Sequence, residues 1–200
     1  DEIFPAADYI TVHVPLTPDT KEMICATNIE KMKNTVRILN FARGDLANSS
    51  DIVALENVKN QYILIQEVPS PHTLESVSIA TKECFVRSFR EQLPIFFQSG
   101  AIVPYEHILN GRYTEAAFAF LPIEKIDHVP GVVKLPAGKS VFTYHTGTYI
   151  SIGKAYERIL EYCRNKHLHI ISDSYEFAIN DYLSTGDEDE YITKIMFYVE

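Results

Sequence analysis

Glu176 is the residue in this chain whose chemistry most needs an explanation. It lies in Ser174-Tyr175-Glu176-Phe177-Ala178-Ile179-Asn180, a stretch that reads as a β-strand. A carboxylate amid so many aromatic and aliphatic residues is costly to desolvate unless it is paired, solvated or kept for a ligand. Two chemistries follow: a counter-ion for a bound cation, or a carboxylate of raised pKa that activates water. No nucleophile or oxyanion arrangement in the sequence supports the second. His167 and His169 flank Leu168, but two imidazoles without a third ligand make a poor metal site.

The elements that must position Glu176 run from Leu135 to Glu200. Gly138 to Tyr144 reads as a strand. Ile152, Ala155, Tyr156, Ile159, Leu160 and Cys163 recur at helical steps and form one apolar stripe, with Glu157, Arg158, Glu161 and Arg164 mostly on the other side. In Tyr191 to Val199, Thr193, Ile195, Phe197 and Val199 share one face, and Ile192, Lys194, Met196 and Tyr198 share the other. Thr185 to Glu190 is polar and acidic, a solvated hairpin loop. The unit is βαββ.

Upstream, Val77, Ile79 and Cys84 to Phe89 read as one or two strands. Glu91 to Gln98 reads as a helix with Pro94 in its first turn, and Ala116 to Leu121 as a strand closed by Pro122. That suggests an earlier copy of the βαββ unit. The first third differs in character. Tyr9 to Leu16 reads as a strand ending at a proline, Asn28 to Lys33 as a short helix and Val36 to Phe41 as a buried strand. Asp51 to Lys59 reads as a helix capped by Ser49 or Ser50. Alternating strands and helices indicate a parallel α/β piece.

Composition bounds the function. The 200 residues are 46% hydrophobic, enough for a core, and carry a formal net charge of −9 without a block of Lys and Arg. Both features argue against a nucleic-acid surface and mildly favour cationic partners. No long apolar run exists, and Asp1-Glu2-Ile3-Phe4-Pro5 lacks a basic n-region, so the expectation is a soluble, cytoplasmic protein with no membrane partner. Cys25, Cys84 and Cys163 are too scattered for a disulfide framework and read as reduced packing residues.

Two family resemblances fit these readings. Ala7 to Thr20, followed by Met32-Lys33-Asn34-Thr35-Val36-Arg37-Ile38-Leu39-Asn40-Phe41-Ala42-Arg43-Gly44, resembles the NAD-dependent D-2-hydroxyacid dehydrogenases, phosphoglycerate dehydrogenases especially. That resemblance implies a loop at Val14 to Thr17 lying along the nicotinamide cofactor, and Arg43 as the catalytic arginine holding a substrate carboxylate. The departures are large. No G-x-G-x-x-G occurs, and the family's glutamate and histidine have no matching segment. Residues 1–58 therefore read as a partial Rossmann-like segment without a cofactor of its own, and residues 59–68 as a seam.

From Pro69 onward the chain resembles the GyrI-like effector-binding domain of MerR-type multidrug-responsive transcription regulators. The resemblance is carried by Ala117 to Pro122, Leu135 to Lys139, Ile170 to Glu176, and the spacing from Glu176 to Tyr191. It implies an α+β fold of duplicated βαββ units over residues 69–200, with a cleft for hydrophobic, often cationic, small molecules. Glu176 would neutralise the cation; Tyr191, Tyr149, Tyr113 and Phe120 would supply the surrounding rings. The family's DNA-binding domain has no counterpart in these residues. The expected function is an effector-binding module of a transcription regulator, the alternative a truncated or composite 2-hydroxyacid dehydrogenase using NAD.

Overall fold

The computed structural model describes residues 2–33, 36–40, 42, 46–48, 52–126, 128–182 and 184–200. The chain divides into two compact units, Asp1–Ile52 and Val53–Glu200.

In the first unit, β1 (Tyr9–Val12) pairs in parallel with β2 (Arg37–Asn40), placing Tyr9 opposite Arg37 and Val12 opposite Asn40. A single-turn helix, α1 (Ala26–Ile29), lies between them in sequence, as a parallel crossover requires. Val12, Ile24, Met32 and Leu46 form a small buried cluster. The parallel α/β character read from the sequence is present, although β1 stops before Pro15. Arg43, Ser49 and Ser50 lie outside the described residues.

The second unit is an antiparallel sheet of eight described strands. These are β3 (Val53–Val58), β4 (Gln61–Glu67), β5 (Gly100–Val103), β6 (Phe118–Ile123), β7 (Val132–Leu135), β8 (Gly138–Thr146), β9 (Ser174–Asn180) and β10 (Ile192–Tyr198). Their order is β3-β8-β10-β9-β5-β6-β4-β7. The helices are α2 (Leu74–Arg90), α3 (Tyr105–Leu109) and α4 (Gly153–Asn165).

Two copies of strand-helix-strand-strand are visible in this order. The first is β4-α2-β5-β6 and the second β8-α4-β9-β10. Each copy places its third strand between the other two, and β5 joins β9 to fuse the copies into one sheet. The α+β fold of duplicated βαββ units is thus observed, but the first copy is built from other residues than the sequence suggested. Residues 74–90, read as strands, form α2. Residues 91–98, read as a helix, contain none, and Ile95 bridges Ile123. Residues 53–58, read as a helix, form β3 against β8, and the expected seam contains the whole of β4. Strand β6 runs through Pro122 to Ile123. The ladder to β5 ends at Phe120, so on that side the missing proline N–H leaves no rung unmade.

Helix α2 begins at Thr73, whose Oγ1 accepts the backbone N–H of Ser76 at 3.1 Å. Glu75 near its start and Arg87 and Arg90 near its end complement the helix dipole. Helix α4 behaves as its stripe requires, burying Ala155, Tyr156, Ile159 and Cys163. These pack with Ile195, Phe197 and Val199, the β10 face that the alternation assigned to one side. Met196 and Tyr198 join Phe120 and Phe177 in a second cluster on the other face.

Candidate functional site

The second unit encloses a cavity of about 420 Å³, within the usual range for small-molecule sites. Its floor is the sheet face carrying Ala101 of β5, Glu176 and Ala178 of β9, and Thr193 of β10. One wall comes from Leu74, Val77, Ser78 and Thr81 of α2. The other comes from Thr148 to Ile152, the turn that opens α4, together with Tyr113. Tyr182, Glu188 and Tyr191, around the β9–β10 connection, complete it.

Strand register explains why Glu176 faces inward. Its cross-strand partners are Ala101 on β5 and Ile195 on β10, both apolar, so neither neighbouring strand offers a cation beside it. Glu176 is only 7% exposed. Tyr156 on α4 donates its hydroxyl proton to Glu176 Oε1, and Ser174 Oγ lies 3.0 Å from the same hydroxyl. Burial pushes the Glu176 carboxyl up to about 7, and the Tyr156 hydrogen bond partly opposes this by favouring the ionised form. Tyr156 is itself raised well above the usual phenol, first by burial and then by the neighbouring carboxylate.

Four of the five ring and acid residues singled out in the sequence meet here: Glu176, Tyr113, Tyr149 and Tyr191 all line the cavity. The Tyr149 and Tyr191 rings are 6.1 Å apart. Burial raises the Tyr149 phenol, and the charges of Glu176 and Asp181 add to the effect. Tyr113 stacks on Tyr156 at 5.5 Å with 11° between planes. The start of α4 leaves just enough room for that ring, since a Cβ on Gly153 would sit 2.7 Å from Tyr113 Cδ2. Phe120 is placed elsewhere. It is fully buried on the opposite face of β6, edge-to-face with Phe177 at 5.1 Å, because strand alternation turns Ala119 toward α2 and Phe120 away. Arg43 lies outside the described residues.

Sequence reasoning missed Tyr156 as a polar partner, because its position on the apolar stripe marked it as core. Glu188 was absorbed into the solvated acidic loop. The signal for both was available only from the register that brings β9, α4 and the β9–β10 connection together. None of the described lining residues is basic, while Glu176 and Glu188 are acidic. The arrangement can therefore hold an apolar body against rings and neutralise positive charge.

Comparison with known proteins divides the chain. Residues 1–65 match the family model of the D-isomer specific 2-hydroxyacid dehydrogenase, NAD binding domain. A glycerate dehydrogenase of Methylorubrum extorquens is 36% identical over 100 residues, 42% of this chain and 32% of that protein. A putative D-lactate dehydrogenase of Dictyostelium discoideum is 47% identical over 60 residues, 30% of this chain and 18% of that protein. The chain thus spans a third or less of the length of these relatives.

Among solved structures, the crystal structure of the EcmrR C-terminal domain superposes with a TM-score of 0.62 at 16% identity, covering 74% of this chain and 97% of that one. The EcmrR–DNA complex seen by cryo-electron microscopy gives a TM-score of 0.60 at 16% identity, over 74% of this chain and 57% of that one. The fold of the second unit is GyrI-like. The first unit carries sequence of the Rossmann-like NAD-binding kind. The dehydrogenase match also runs past Ile52 into β3 and β4, strands that belong to the second unit's sheet.

Proposed function

We propose that the second unit is a small-molecule-binding module for hydrophobic cations, of the effector-binding type used by MerR-type transcription regulators. The observation that carries this reading is Glu176, a carboxylate 7% exposed on the floor of a ring-lined cavity whose described lining contains no basic side chain. A ligand that brings its own positive charge restores the balance that the fold leaves open, and its apolar body replaces water against Tyr113, Tyr149 and Tyr191. The GyrI-like fold supports the reading. We place the module at Val53–Glu200, so that β3 and β4 belong to it rather than to the dehydrogenase-like segment.

The chain has no tryptophan, and four of its twelve tyrosines line the cavity, so part of the tyrosine fluorescence responds to its occupancy. Titration with tetraphenylphosphonium should give saturable quenching. Neutral triphenylphosphine oxide, of similar shape, should bind far more weakly. Equal binding of the two would remove the charge-selective role of Glu176.

The match over residues 1–65 favours a second reading, part of an NAD-dependent 2-hydroxyacid dehydrogenase. The residues present fit the cofactor poorly, because no G-x-G-x-x-G turn is available to cradle its pyrophosphate. Oxidation of NADH by this chain in the presence of a 2-keto acid would support that reading; no turnover is expected.

A further inference from the structure

The cavity has two acidic ends of different character. Glu176 is buried on the floor, whereas Glu188 lines the same cavity from an exposed helical turn, Glu188–Glu190. The strand register separates them. Glu176 faces Ile195 near the middle of β10, and Asn180 faces Ile192 at its start, with Tyr191 and Glu188 preceding that start. Four residues of extended chain between Glu176 and Asn180 span about 13 Å. The lining over this distance includes Ala178, Tyr149, Tyr182 and Tyr191, with the neutral Thr193 opposite Ala178, so it is mostly apolar or aromatic and carries no charged side chain between the two carboxylates.

Among the described residues, Glu188 is not engaged elsewhere. Its neighbours in the turn are: the Thr185 hydroxyl donates to Glu190 Oε2 at 2.7 Å, and Asp187 Oδ1 accepts the Asp189 N–H at 3.0 Å. The Glu188 carboxylate has no such partner among the described residues. Asp181, buried near the same end and 3.2 Å from the Ser99 hydroxyl, adds to the negative field there.

Resting on the reading of the cavity as a cation site, we propose that its preferred ligands are rod-shaped dications. One positive end sits at Glu176 and the other at Glu188, with an apolar spacer along Ala178 and the tyrosine rings. A compact monovalent cation satisfies only the floor. An elongated dication satisfies both ends without leaving a charge in the uncharged span.

The test compares two probes of equal chain length, decamethonium, with a quaternary ammonium at each end, and decyltrimethylammonium, with one. Calorimetric titration of the full chain at low salt should show decamethonium binding about tenfold tighter. That ratio should shrink with added salt, because the outer carboxylate is exposed. In Glu188→Gln the ratio should fall to about one, and in Glu188→Lys below one. A ratio near one in the unsubstituted protein, or a ratio that survives Glu188→Gln, would overturn the dication assignment while leaving the cation site standing. Failure of both probes to bind would instead remove the cation site itself, and the dication assignment with it.

Discussion

Two glutamates on one sheet meet opposite fates. Glu56 on β3 is neutralised by Lys194 of β10, whose ammonium also lies 4.5 Å from the centre of the Phe142 ring, and both side chains keep contact with water. Glu176 on β9 is flanked by Ala101 and Ile195, and its partner is a phenol. The sheet thus supplies a cation to an acid near its edge and withholds one from the acid at its centre. The difference separates a carboxylate whose charge is already satisfied from one whose charge waits for a ligand.

The sharpest way to break the comparison is to neutralise each acid in turn. Glu176→Gln should lower affinity for tetraphenylphosphonium about a hundredfold, roughly 3 kcal/mol, as loss of one member of a buried ion pair does. Fluorescence titration at pH 8, where the wild-type acid is ionised, measures it. Affinity within twofold of wild type would show that Glu176 is no more a counter-ion than Glu56.

The pH dependence sharpens the contrast further. Glu176 is raised on folding from the ordinary carboxylate value to about 7. A group raised on folding contributes stability that is fully present below its unfolded pKa and is lost as pH rises through the folded one. Between about pH 4.5 and pH 7 the unliganded protein should therefore lose about 3 kcal/mol through this group. Urea unfolding at pH 5 and pH 8 checks it, and Glu176→Gln should remove most of the difference. Cation affinity runs the other way. It should rise about tenfold per pH unit below the Glu176 pKa and level off above it, because the cation binds the ionised form.

A smaller effect belongs to Tyr156. Its hydrogen bond favours ionised Glu176, so Tyr156→Phe should move the midpoint of the cation-affinity profile upward by about one pH unit. A midpoint that stays in place would mean that burial alone sets the acid's behaviour. The size of the shift also measures how far the phenol stands in for the lysine that Glu56 has.

How much of this was legible depended on where large side chains went. Helix α4 and strands β9 and β10 could be read because they bury the apolar stripe or face that their periodicity displays. Helix α2 could not, because it inverts the rule. It buries Ala80, Thr81, Cys84 and Ser88 against the sheet and leaves Val86 65% and Phe89 60% exposed. Small residues let the helix approach β4 and β6 closely, while the large ones suggested strands. Residues 53–58 looked helical from local capping, yet pairing with β8 makes them a strand, a tertiary override of local preference. The site was half legible: Glu176 and three tyrosines stood out by type, whereas Phe120 was assigned to the wrong face. That error was one of parity, since adjacent residues on β6 point to opposite sides.

The smallest effect is expected at the other glutamate. Glu56 and Lys194 retain side-chain exposures of 31% and 20%, so water and salt screen their attraction, and such pairs contribute up to about 1 kcal/mol. Glu56→Gln should therefore destabilise the fold by less than about 1 kcal/mol in urea unfolding at low salt, with most of that difference gone at high salt. Tetraphenylphosphonium affinity should stay within twofold of wild type, because Glu56 lines no part of the cavity. A large loss of cation binding in this variant would mean that the sheet's charges act as one field, and that the buried position of Glu176 is not what selects the ligand.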